Sequence, residues 1–224
     1  MAFNVRRRLA GSVALGTIGV VLAACSVNVP DPSAPKPSPS ESTLATPTIT
    51  PGHDAAAVAA KDLPLAAGGS LASGEPVTVA GKLEEVPGWS VVHSGLQGEV
   101  LYKKSDGCTL VARVSVNQGP LVVAGDDAAS TKALFRYLDA GIEVEKLKPA
   151  SLRWGQDSDK PQHNVEFLAL ESSAASGAKP VVVLARLFSA PASSVYVSLV
   201  CPDDAALAKA RADVDAKLAV IPPS

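Results

Sequence analysis

The chain has 224 residues, 20 Lys+Arg against 22 Asp+Glu, and 4% aromatic residues. A balance this near neutral lacks the electrostatic footprint of a nucleic-acid binder. No block of five like charges marks a polybasic membrane patch.

The N-terminus reads as an export signal. Arg6, Arg7 and Arg8 form a positive start, and an apolar run follows from Leu9 to Ala24. The run is short for a bilayer-spanning helix, which needs about 20 residues. It fits the apolar centre of a signal peptide ending in small residues. Removing those 24 residues, which hold three arginines and no acid, leaves 17 basic against 22 acidic residues, a net charge of −5. Leu22-Ala23-Ala24-Cys25 resembles the lipobox of bacterial lipoproteins, actinobacterial ones included. The resemblance implies a diacylglyceryl group on the Cys25 thiol and cleavage between Ala24 and Cys25. Each buried methylene of such a group adds about 0.8 kcal/mol, so two or three acyl chains anchor a protein stably to a membrane. The implied address is the outer, extracytoplasmic face of the cell membrane.

Residues 26–51 hold seven prolines and nine Ser/Thr and show no hydrophobic periodicity. Such a segment cannot bury enough apolar surface to offset the entropy of ordering. In polyproline II form it reaches roughly 80 Å. Residues 55–74 are rich in Ala and Gly and read as the end of this tether. The expected organisation is signal peptide 1–24, tether 25–74, and one globular domain 75–224.

Within that domain the elements follow in order. Strands are expected at Val77–Leu83, Trp89–His93 and Glu99–Lys103, with Pro87-Gly88 as a turn. Cys108–Val116 alternates clearly, with Cys108, Leu110, Ala112 and Val114 on one face. Asp126 reads as a helix N-cap. Thr131, Leu134, Phe135 and Leu138 then form a stripe at helical spacing, and Gly141 closes the helix. Ile142–Leu147 reads as a short strand. Asn164–Leu170, Val181–Phe188 and Ser194–Cys201 are further strands. Asp203 caps a last helix whose stripe runs Leu207, Ala210, Val214, Leu218 and Ile221, stopped by Pro222-Pro223. Strands, helix, strands, helix reads as α+β: an antiparallel sheet with two main helices packed on it.

Three cysteines are present. With Cys25 assigned to lipid, Cys108 and Cys201 remain, each in phase with the apolar face of its strand. In an oxidising compartment they are expected to form a disulfide.

The domain resembles the PsbP-like fold, including the LpqN-type lipoproteins. Pro87-Gly88-Trp89 carries the resemblance at the start. Val111–Val116 followed by a helix carries it in the middle, and Val195-Tyr196-Val197-Ser198-Leu199 with its C-terminal helix at the end. It implies a non-enzymatic accessory or binding domain and transfers no functional residue.

Motifs for chemistry are sparse. His53, His93 and His163 have no metal-ligand spacing, so no metal or cofactor is expected. Ser176-Gly177-Ala178-Lys179 matches Ser-x-x-Lys, but Gly177 and Pro180 deny it a helical turn, and its partner motifs are missing. Ser33–Lys36 matches the same pattern inside the tether. Of the acid pairs, Asp126-Asp127 and Asp203-Asp204 read as charges favoured at helix starts, and Glu84-Glu85 as a solvated turn. No catalytic residue is assigned. Trp154 lies in a polar stretch and is the candidate for an exposed partner contact, with core packing as the alternative. Three functions are expected, in this order: a tethered binding or accessory domain meeting a protein of the cell envelope, a carrier of a small apolar ligand or lipid between sheet and helix, and an envelope hydrolase.

Overall fold

The computed structural model describes residues 55–95, 98–155, 163–174 and 177–223. The export signal, Cys25, the Pro-rich tether, His53 and Ser176 lie outside them. Within them the chain is α+β, as expected, with one curled nine-stranded sheet and three α-helices. The strands are β1 (Thr78–Gly81), β2 (Trp89–Ser94), β3 (Glu99–Lys104), β4 (Thr109–Ser115), β5 (Lys148–Trp154), β6 (His163–Ser172), β7 (Val181–Phe188), β8 (Ser193–Val200) and β9 (Leu218–Ile221). The helices are α1 (Ala55–Ala59), α2 (Asp127–Leu138) and α3 (Asp204–Lys217). The order across the sheet is β1-β9-β5-β6-β7-β8-β4-β3-β2. Neighbours are antiparallel except β5 and β9, which run parallel.

Each face of the sheet buries its own apolar set. On one face Leu110, Val197, Leu184, Phe167 and Leu152 pack with Ala210 and Val214 of α3. On the other, Leu134 and Phe135 of α2 cover Leu168, Ala185 and Leu187. The expected caps are present. Asp126 accepts from the Ala129 amide and Asp203 from the Ala206 amide, each at 2.8 Å. Thr131 of the predicted stripe is buried, and its hydroxyl accepts from the Leu187 amide at 3.0 Å. The helix stops at Leu138, where Asp139 caps it, three residues short of Gly141. Cys108 and Cys201 are joined, both fully buried. Because β4 and β8 pair with Thr109 opposite Val200, the two cysteines are the next residues along the register.

Three elements differ from expectation. Ile142–Leu147 is not a strand; it contains a 3₁₀ turn at Val144–Lys146. Lys148–Trp154, unassigned by pattern, is β5. Its inward residues Leu152 and Trp154 do alternate, but Pro149 and the short apolar count mask the period. Proline is tolerated there because β9 flanks only Arg153 and Trp154, which leaves the earlier part of β5 a free edge. Leu218 and Ile221 do not extend the last helix. α3 ends at Lys217, and Leu218-Ala219-Val220-Ile221 is a strand between β1 and β5. A strand flanked on both sides shows a continuous apolar run, which periodicity alone cannot tell from a buried helical turn.

The sheet is split between β6 and β7. They pair from Leu168 opposite Ala185 to Ser172 opposite Val181 and then part. Leu63 fills the gap as an isolated parallel bridge to Val165. Arg186, fully buried, closes the rest. Its guanidinium donates to the carbonyls of Leu63 (2.8 Å), Pro64 (3.1 Å) and Glu166 (3.1 Å), and to Asp127 of α2 at 2.7 and 3.0 Å. The tether was expected to run to residue 74, yet Leu63 and Leu71 are core residues. The folded body therefore takes in chain before residue 75.

Candidate functional site

A concavity lies where the curled sheet fails to close on itself. β1 pairs only with β9, and the curl carries it against β4. Pro76–Val79 forms one wall. The end of β2, the start of β3 and the end of β4 form the other. The cleft is open to solvent on one side, and its volume is about 980 Å³. Val77 is buried, and Val79, Val100 and Val114 are partly buried against the same core, so the floor is apolar. Thr78, His93, Ser94, Glu99 and Ser115 supply a polar rim.

Among the described residues, no hydrogen bond or ion pair joins His93 to Ser94, Ser115 or Glu99, and no three His, Cys, Asp or Glu side chains cluster as metal ligands. Glu99 and Arg113 face each other across the β3–β4 pair. Among the described residues the buried Arg113 Nε has no hydrogen-bond partner, and its guanidinium lies 5.5 Å from the Tyr196 ring centroid. The arrangement offers an apolar trough with polar edges, which is chemistry for holding a ligand.

Trp154 is not a surface contact. It is 4% exposed, and its indole N–H donates to the Val58 carbonyl at 3.1 Å. Its sequence neighbours look polar because the strand alternates, and the tryptophan takes the inward phase. His163 starts β6 and lies 3.4 Å from Asp62. Glu84 and Glu85 occupy an exposed 3₁₀ turn, where Lys217 pairs with Glu85 at 2.9 Å. Asp127, read as a charge favoured at a helix start, does stand in the first turn of α2, but it is fully buried against Arg186.

A second polar cluster fastens α3 to the β2–β3 hairpin. Asp213 accepts from the Trp89 indole at 2.9 Å and from Lys104 at 2.8 Å, and Lys104 lies 5.5 Å from the Trp89 ring centroid. Partial burial pushes the Asp213 carboxyl up, but the hydrogen bonds from Lys104 and Trp89 outweigh it and hold it below the ordinary aspartate value. A depressed folded-state value stabilises the fold above the unfolded value and stops doing so as pH falls through the folded one. Asp213→Asn is therefore expected to flatten the acid limb of a stability-versus-pH curve from urea unfolding. An unchanged limb would show that the cluster contributes packing alone.

The cleft residues come from three separate stretches of chain. No single motif marks them, and only the register of β3 and β4 and the curl of β1 bring them together. Arg186 did leave a signal, as the one charge inside the apolar run Val181–Phe188. Comparison with protein families, curated proteins and solved structures found no match for this chain.

Proposed function

We propose that this protein is an exported lipoprotein, anchored through Cys25 to the outer face of a cell membrane, whose folded domain is a non-catalytic binding or accessory module of the cell envelope. The single observation that carries the binding role is the valine-floored cleft of about 980 Å³ with its polar rim. Protein-binding surfaces combine an apolar, water-excluding centre with a polar periphery in this way. The anchor rests on the arginines, the apolar run and the Leu-Ala-Ala-Cys tetrapeptide. No helix among the described residues is long and apolar enough to cross a membrane. Kinship with the PsbP-like and LpqN-type proteins belongs to the same proposal, supported by the α+β class and the two helices α2 and α3 on the sheet.

Cys25→Ala is expected to abolish metabolic labelling with a fatty acid and to shift the protein from membranes to the medium. Native protein that still begins at Met1 and carries no acyl mass would remove the anchor from the proposal. The binding role has a separate test. A photo-crosslinking residue placed at Thr78 or Ser115 in intact cells should capture one envelope protein. The same residue at the exposed Lys209 of α3 should not, and Val114→Asp in the floor should abolish the adduct. Equal capture from Lys209, or capture indifferent to Val114→Asp, would sink the cleft as the contact.

A carrier reading draws on the same cleft, because its volume and apolar floor suit a small hydrophobic ligand. It places the ligand at the sheet's open end and not between sheet and helix, where Phe135 and Leu134 fill the space. A bound lipid retained in native mass spectra of the protein would select it.

A further inference from the structure

Residues 58–65 are fastened to the sheet with a density of bonds that a passing linker does not need. The Trp154 indole holds the Val58 carbonyl. The Asn164 amide donates to the Asp62 carboxylate at 2.8 Å. Leu63 exchanges backbone bonds with Asn164 and Glu166 at 2.8 and 3.1 Å. The Glu166 carboxylate accepts from the Leu65 amide at 2.9 Å, and Arg186 grips the Leu63 and Pro64 carbonyls from inside the core. β1 is an edge strand of four residues paired only with β9.

We infer that this strap is a mooring: it takes tension arriving from the N-terminal side before that tension reaches β1. An edge strand pulled from its end opens one bond at a time, as local unfolding of weakly held segments does. The strap's bonds to Asn164, Glu166 and Arg186 lie side by side across one short segment, so they share a load and fail together. A domain held from its N-terminal side would otherwise lose β1, the wall of its cleft, whenever its partner pulled. That purpose rests on Cys25 being the anchor. The mechanical behaviour does not, so an unlipidated native protein and a strap that bears no load are separable failures.

The test is single-molecule stretching of the unacylated chain from Cys25 onward with its disulfide intact. One handle sits on the Cys25 thiol and the other on Lys148→p-azidophenylalanine in β5. The wild-type body is expected to extend only when it unfolds globally. Asp62→Ala with Glu166→Ala should add an earlier, low-force step on the order of 50 Å, the slack of the chain between Val58 and Val77. Both side chains are largely solvent-facing, and an unchanged far-ultraviolet spectrum would confirm that the variant folds. Identical traces for the two proteins, or an early step already present in the wild type, overturn the inference. Hydrogen exchange on the wild type gives a second reading that needs no variant. The amides of Leu63, Leu65 and Glu166 should exchange only with global unfolding, and earlier exchange would equally overturn it.

Discussion

Asp127→Ala is expected to lower the stability of the folded domain by about 3–5 kcal/mol, measured by urea unfolding at neutral pH. The size follows from what the carboxylate does. One oxygen takes two bonds from Arg186, and the other accepts from the Ser189 amide at 2.8 Å and its hydroxyl at 2.6 Å. Removing it leaves a guanidinium with no exposed surface and no counter-charge. Burial already pushes the Arg186 guanidinium below its ordinary value, with Asp127 opposing that shift. Arginine does not shed its proton in proteins, so it cannot escape the penalty by becoming neutral. The comparison that isolates the pair is Arg186→Met combined with Asp127→Ala. It should recover part of the loss, since an apolar replacement of both partners is often tolerated where removal of one is not. A single variant within 1 kcal/mol of wild type would mean that water reaches the split and that the pair is not the closure described above.

Cys108→Ala with Cys201→Ala is the second large effect. The bridge closes a separation of 93 residues, for which the chain-entropy model gives about 4.7 kcal/mol at 25 °C. The bond also ties the start of β4 to the end of β8, two interior strands of the sheet. Its loss is expected to move the urea midpoint down and to steepen the slope, because the freed unfolded chain exposes more surface. A shift of less than about 1 kcal/mol would show that the unfolded, reduced chain already holds these strands close.

The legible parts of this molecule were those set by local rules. Asp126 and Asp203 announce helix starts because a short polar side chain before an apolar stripe satisfies orphaned amides. Cys108 and Cys201 could be paired from phase, since alternation assigns each to a face, once an oxidising compartment was expected and Cys25 was given to lipid. The illegible parts were settled by neighbours distant in sequence. Leu218–Ile221 is a strand because β1 and β5 lie on either side of it, and nothing within the four residues says so. Trp154 is buried because its strand took one register and not the other. The cleft was beyond reach for the same reason: valines are the commonest strand residues here, and only tertiary curl selects four of them as a floor. Asp127 shows how a correct local rule can hide a larger one. A helix-start acid is unremarkable until Arg186, 59 positions away, is found against it.

The placement of Leu218–Ile221 has a consequence for how the molecule is born. A ribosome or a translocation pore delivers this segment after every other strand, yet it occupies an interior lane with β1, made among the first, docked on its far side. Until those four residues arrive, β1 has no partner and the trough it walls does not exist. Maturation is therefore a closing stitch: a nascent chain stalled before Leu218 holds most of a sheet and only one wall of the trough.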